Sequence, residues 1–309
     1  MTMSSTPAEL QWKSLYNGDP QDGWLHSGIG IFSDGNILFE AAGGRAFIDL
    51  NPHDGTFRKV PVDAAVLRGL FVPTNSDDFW ICDPGVYGAP PAGQLLRVNR
   101  NGEILQRVLR PGTDADTPIL WKPTSVTLVE SGPYAGDMWI GDGYGESLVH
   151  RIAPDGSFQT FDGSSTSKMF DCPHGVAVDT RGDEPVIAIA DRGNERIVFF
   201  SLAGEYLRTV QSSLMVGPSS IAVRGDLLIV TDLFGAILSI DLDDRVEVLV
   251  PSIREERVEG WPNRLKDGLE VAPIIREGAV NSPHGVTVGA DGKVFFTEWY
   301  FGGRVVSIY

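Results

Sequence analysis

The chain has 309 residues, 42% of them hydrophobic, enough to bury a sizeable core and to exclude global disorder. Its 25 basic and 41 acidic residues leave a net charge of −16 with no Lys/Arg run. That balance argues against nucleic acid and against an anionic membrane surface as partners. Two cysteines, Cys82 and Cys172, are too few for a secreted disulfide framework. The opening MTMSSTPAELQW has neither the basic nor the apolar region of a secretory signal, and no stretch reaches the ~18 apolar residues of a membrane span. The expected localisation is therefore cytoplasmic.

Read in chain order, one unit recurs six times. It appears as LHSGIGIFSDGNILFE, LRGLFVPTNSDDFWICD, KPTSVTLVESGPYAGDMWIGD, CPHGVAVDTRGDEPVIAIAD, GPSSIAVRGDLLIVTD and SPHGVTVGADGKVFFTE. Each has a short polar start, an alternating apolar run, a Gly/Asp turn and a second apolar run that ends on an acid. The acids are Glu40, Asp83, Asp142, Asp191, Asp232 and Glu298. After each acid a Gly-containing loop leads to a third run (RAFIDL, QLLRVN, LVHRIA, RIVFFS, AILSID, RVVSIY), and all but the last are followed by a fourth. Period-2 alternation with turns at this spacing reads as β throughout, with no convincing helix.

Six four-stranded units predict an all-β, six-bladed β-propeller over residues 1–309 as one domain. The chain ends on the third strand of the sixth unit. The missing fourth strand is available at the N-terminus, in ELQWKSLY, and pairing the two closes the ring and leaves no open edge.

In a blade, the start of the innermost strand and the end of the second lie on one face near the axis. The strand starts are Ser27, Arg68, Thr124, His174, Ser219 and His284, and the strand ends are the six acids. His26 precedes Ser27 and reaches the same mouth if the register slips. Loops 84–93, 110–122 and 251–282 open on this face. Imidazole and carboxylate are ligands for divalent ions and the usual acid–base groups near neutral pH. For any single acid, however, the expected role is structural, accepting backbone N–H groups of a neighbouring loop. His53 and His150 fall on an outer turn and a third strand and read as surface or packing residues.

DRGNERIVFF with AGEYL has the form of an NHL repeat. GDGYGESLVHRIAPDGSF, CPHGVAV, ADRGNERI and SPHGVTV together resemble the peptidyl-α-hydroxyglycine α-amidating lyase family, over roughly a third of the chain. The resemblance implies a six-bladed NHL propeller with a zinc ion near the axis. It makes Tyr144 the counterpart of the catalytic tyrosine, Arg192 of the active-site arginine, and His174 and His284 of two of three zinc histidines. The third falls on Arg68, the family's first-blade arginine is absent near Ala41, and the acid after the last histidine is Gly285. Water with Glu298 or Asp191 would have to complete a metal shell, and peptide amidation itself is not expected.

His284 and Glu298 in PHGVTVGADGKVFFTEW are also similar to the last blade of virginiamycin B lyase, where His and Glu act as acid–base groups with Mg²⁺. That family's preceding blade supplies a second His where this chain has Ser219. Gluconolactonase-type propellers share the fold, but their opening Glu-Gly-Pro is missing.

The expected function is that of a lyase or hydrolase cleaving a C–O or C–N bond of a small or peptide-like, anionic substrate. The expected catalytic residues are Tyr144, His174, Arg192, His284 and Glu298. Arg68, His26, Trp299 and Tyr300 are expected to bind substrate, and His174 and His284 to hold a divalent metal (Zn²⁺, or Ca²⁺/Mg²⁺). The alternatives are a metal-free acid–base enzyme on the same site, a calcium-dependent lactonase, or a non-catalytic NHL binding module.

Overall fold

A computed structural model describes residues 10–85, 93–110, 120–253 and 259–309. It places six four-stranded antiparallel sheets in a ring, each meandering outward from the axis. The fourth blade shows the pattern: Pro173–Asp179 innermost, then Val186–Asp191, Arg196–Ser201 and Tyr206–Gln211. Its VAV and IAI runs give the two inner strands apolar residues on both faces, because both faces of a blade press on neighbours, whereas the outermost strand is largely exposed. No α-helix occurs among the described residues, only three single 3₁₀ turns.

Six apolar clusters hold the ring, one at each junction between blades. Between blades four and five, for example, Ile197 and Phe199 pack with Ile221, Leu228 and Leu238. Closure follows the expectation: Trp12–Asn17 pairs antiparallel with Arg304–Ile308, so the sixth blade joins both ends of the chain. Trp12 sits edge-on to Phe296, with ring centroids 5.6 Å apart, and under the Arg304 guanidinium.

At the axis the innermost strands are so close that side chains do not fit between them. A Cβ on Gly175 would lie 2.4 Å from the Ser219 carbonyl oxygen, and one on Gly285 would lie 2.2 Å from that of Ser27. This is why Gly follows the histidine in both Pro-His-Gly segments.

Five of the six repeat acids act as latches. Each accepts backbone N–H bonds from the segment entering its own blade: Asp83 from Ala65 and Val66, Asp142 from Lys122, Asp191 from Asp171, Asp232 from Val216 and Gly217, and Glu298 from Asn281 and Ser282. Asp191 and Glu298 also pair with buried Arg196 and Arg304. The expected ring of carboxylates is thus largely committed to backbone rather than available to a cation.

The 251–282 stretch carries a small hairpin, Arg264–Lys266 with Leu269–Val271, and Trp261 from it reaches the mouth. Most of the expected loops 84–93 and 110–122 lies outside the described residues.

Removing residues 1–17 strips the closing strand and exposes the edge of Arg304–Ile308. The truncated chain is expected to unfold at lower temperature and to associate through that edge. Scanning calorimetry with light scattering checks this, and an unchanged monodisperse melt would show that closure is dispensable.

Candidate functional site

Three imidazoles meet where the first, fourth and sixth blades converge. His174 and His284 stack with ring centroids 5.0 Å apart and planes at 26°, and His26 lies 5.0 Å from His284. His174 and His284 are buried to 1% exposure, and His26 is partly accessible. Their backbones are tied across the junctions: Thr231 Oγ1 donates to the His284 carbonyl and Thr297 Oγ1 to that of His26.

The hydrogen bonds assign the protons. His174 Nδ1 stands 2.9 Å from the Ser219 carbonyl oxygen, which only accepts, so Nδ1 carries the hydrogen. Nε2 then offers a lone pair, and the Tyr144 hydroxyl donates to it at 2.9 Å. His284 Nε2 accepts from Arg192 Nη2 at 3.1 Å, and the same Nη2 donates to Ser219 Oγ at 3.1 Å. Both imidazoles are neutral. Burial, followed by the Arg192 charge for His174, pushes the His174 and His284 pKa values well below the usual histidine range. His26 is lowered in the same way, first by burial and then by Arg68.

These contacts decide how far a metal fits. His174 has one nitrogen on a carbonyl and the other on a phenol. His284 Nε2 is taken by a guanidinium. The charges of Arg68 and Arg192 reach both rings. Among the described residues no group of three His, Cys, Asp or Glu is disposed to hold a metal ion. The expected metal on His174 and His284 is thus not shown: the hydrogen bonds around the two rings suit neutral bases beside fixed cations.

The expectation for Glu298 is corrected. It is fully buried and spent on Arg304 and on the backbone N–H groups of Asn281 and Ser282. Tyr300 is buried beside Glu298, with its phenol pKa raised by desolvation, and its ring touches none of the histidines. Trp299 does form a wall, 5.9 Å from His26 and 6.2 Å from His284. Sequence reasoning missed Trp24, which stacks on Trp299 at 4.8 Å, and Trp261, 5.9 Å from Trp299. Trp24 and His26 are two residues apart, and both approach Trp299. His150 is a packing residue, as expected, bonded to Thr160 and edge-on to Trp121.

Beneath the histidines runs an axial channel of about 1060 Å³, lined by the innermost strands of all six blades and open to the opposite face. His174, Ser219, Ser27 and Thr124 stand at its upper end.

No family model matches the chain. A peptidyl-glycine α-amidating monooxygenase from Xenopus laevis is 26% identical over 155 residues, 47% of this chain and 16% of that protein. The rat peptidylglycine α-amidating monooxygenase is 26% identical over 156 residues. The chain spans about a sixth of these relatives. Among solved structures, virginiamycin B lyase from Staphylococcus aureus superposes with a TM-score of 0.61 at 15% identity, covering 97% of this chain and 99% of that one. A gluconolactonase from Xanthomonas campestris superposes at 0.64 and 16% identity, covering 97% and 89%. These likenesses show a six-bladed propeller whose structural neighbours include lyases and lactonases.

The buried neutral histidines give a pH prediction. An unfolded chain takes up protons near the ordinary histidine value of 6.5, and the folded one does not. Acidification below about 6.5 therefore favours unfolding, and stability contributed by these groups is lost as pH falls. Long-range ¹⁵N–¹H spectra at pH 6 are expected to show His174 as a neutral ring with the proton on Nδ1. A doubly protonated ring there would refute the assignment.

Proposed function

We propose that this propeller is a lyase that breaks a C–O or C–N bond of a small, carboxylate-bearing substrate at its mouth by metal-free acid–base chemistry. The observation that carries this reading is the Tyr144–His174 pair. A neutral imidazole pinned through Nδ1 to the Ser219 carbonyl presents Nε2 to a phenol at 2.9 Å. This is the geometry of a directed proton acceptor, with a base oriented from behind by a fixed group.

Arg192 and Arg68 supply the positive field. A guanidinium offers a planar fork of donors suited to a carboxylate. Arg192 already contacts His284 and Ser219 and keeps Nε buried without a partner. The Trp24, Trp261 and Trp299 rings bound the mouth on one side and suit an apolar or acyl portion.

The step needs no external reactant. A substrate bearing a hydroxyl on the carbon that holds the leaving group gives its O–H proton to Tyr144 as Tyr144 passes its own to His174 Nε2. The O–H electron pair forms a carbonyl, and the bond to the leaving nitrogen or oxygen breaks. The leaving atom departs with the electron pair of the broken bond and takes the proton back from His174 through the same phenol. Fixed guanidiniums stabilise the oxyanion that develops on the way. The resemblance to α-hydroxyglycine lyases supports a carbinolamide as substrate.

The test is turnover of an N-acyl-2-hydroxyglycine, a cyclic ester and a sugar lactone by the purified chain, with and without chelator. Tyr144→Phe and His174→Ala are each expected to lower kcat by ~10²-fold or more. Arg192→Lys is expected mainly to raise KM, and chelator to leave the rate unchanged. Activity that disappears on chelation and returns with zinc would overturn the metal-free mechanism. Ligand binding without turnover, unaltered in His174→Ala, would leave a binding module instead.

A further inference from the structure

Glu40 departs from its five counterparts. It ends the second strand of the first blade, as the other acids end theirs, and is fully buried. Yet neither of its carboxyl oxygens has a well-formed hydrogen bond. The reason lies in ring closure. The N–H that would serve as its latch partner, two residues before the strand start at Ser27, belongs to Leu25 and is turned to the Tyr300 carbonyl of the sixth blade. Glu40 faces instead the Arg68 guanidinium, whose Nη1 is 3.8 Å from Oε1. That distance is an ion-pair approach without a committed hydrogen bond. Arg68 Nη1 donates to the Leu67 carbonyl at 2.7 Å, which anchors the guanidinium beside the mouth.

We propose that Glu40 and Arg68 form an anion site controlled by one proton: with Glu40 neutral, Arg68 is free to bind the substrate's carboxylate, and with Glu40 ionised, Arg68 is drawn back to it. This rests on the reading of the mouth as a site for a carboxylate-bearing substrate and makes Glu40 its specificity-determining residue. Glu40 acts through Arg68 and is a positioning residue.

The groups facing Glu40 are few. Arg68 comes from the segment entering the second blade, and the backbone N–H groups of His26 and Gly28 come from the segment entering the first. All three favour the charged form, but burial outweighs them and raises the carboxyl to about 8. Behind these stand the neutral His26, His174 and His284 rings, with Arg192 beyond them. Near neutral pH the pair is therefore an acid beside an unshared cation. Above about 8 it is a closed ion pair.

The sign of the stability effect follows. The unfolded chain releases this proton near 4.5, and the folded one retains it to about 8. Raising pH through that interval favours unfolding, so the stability that Glu40 contributes is present below 4.5, falls until about 8 and is level above.

The experiment compares the whole chain with Glu40→Gln, an isosteric copy of the neutral acid, and with Arg68→Met. Without ligand, melting temperatures are followed from pH 5 to pH 9. The wild type is expected to lose stability relative to Glu40→Gln across this range, and parallel profiles would overturn the proposal. With pyruvate as a small planar carboxylate probe at low salt, calorimetric titration is run at pH 6 and pH 9. Wild-type affinity is expected to drop about tenfold between them, the factor of one pKa unit of coupling. Glu40→Gln is expected to bind equally at both, and Arg68→Met weakly at both. Equal pH dependence in wild type and Glu40→Gln, or failure of the wild type to bind at pH 6, would overturn the site. Turnover of the substrate panel with a KM insensitive to Glu40→Gln would refute this inference and leave the enzymatic reading intact. Pyruvate binding with the expected pH dependence but no turnover would do the reverse.

Discussion

The approach of the six innermost strands at the axis is the constraint on which the site depends. The Ser219 carbonyl oxygen that lies 2.4 Å from where a Gly175 side chain would begin is the same oxygen that receives the His174 Nδ1 hydrogen at 2.9 Å. One contact thus forbids a side chain at 175 and orients the base at 174. The equivalent approach of Gly285 to the Ser27 carbonyl sets His284 against the first blade, where His26 meets it. Packing density at the axis is converted directly into imidazole geometry. The Thr231 hydroxyl adds a hydrogen bond across the junction between the fifth and sixth blades and the Thr297 hydroxyl one across the junction between the sixth and first, so rotation of one blade against the next would break both packing and site.

Electrostatics at the mouth run against the rest of the molecule. The chain carries −16 overall, and its field slows the approach of an anion at long range. At physiological salt that field fades within ~8 Å, so a small anion feels chiefly the nearest fixed charges. Those are Arg68 and Arg192, with neutral imidazoles between them. Burial keeps the histidines uncharged, and their neutrality preserves the positive field instead of extending it into self-repulsion. The same burial acts in the opposite direction on charge at Glu40, holding a carboxyl neutral where an anion would cancel Arg68. Acid and base are thus both held in their uncharged forms, which leaves the two guanidiniums as the charged partners of a ligand.

Much of this was legible in the residues. Six acids at one repeat position, each followed by Gly-containing loops, marked the blades, and the incomplete sixth unit pointed to closure by the N-terminal strand. His174, His284, Tyr144, Arg192 and Arg68 were recognisable as groups of one face. What the repeat could not show was which acids are spent. Glu40 and Glu298 occupy the same position of their units, but Asn281 and Ser282 offer their N–H groups to Glu298, whereas the Leu25 N–H is diverted to Tyr300. That difference is a consequence of ring closure, a contact between residues 275 apart, and no local pattern carries it. Tyr300 misled for a similar reason: it lies in the bend just past the end of the last blade's second strand and is buried beside Glu298, and only Trp299 faces the imidazoles.

The division between latch acids and mouth residues also explains how one propeller scaffold hosts different chemistries. Asp83, Asp142, Asp191, Asp232 and Glu298 bind backbone N–H groups, so their role is indifferent to the side chain that starts the neighbouring innermost strand. That start position is free to vary: Ser27, Arg68, Thr124, His174, Ser219 and His284 differ in size and charge, yet each begins an innermost strand at the mouth. The guanidinium at position 68 takes no part in the Asp83 latch to the Ala65 and Val66 N–H groups and places a fixed cation at the mouth. Likeness of fold at 14–18% identity to lyases and lactonases alike is the expected result of such a scaffold, because the latches and junction clusters determine the ring. The reaction is decided by the few strand starts and loop residues that touch the substrate. In this chain the strand starts and the loops beside them bring a phenol–imidazole pair and two arginines to one mouth, with Glu40 buried beside Arg68.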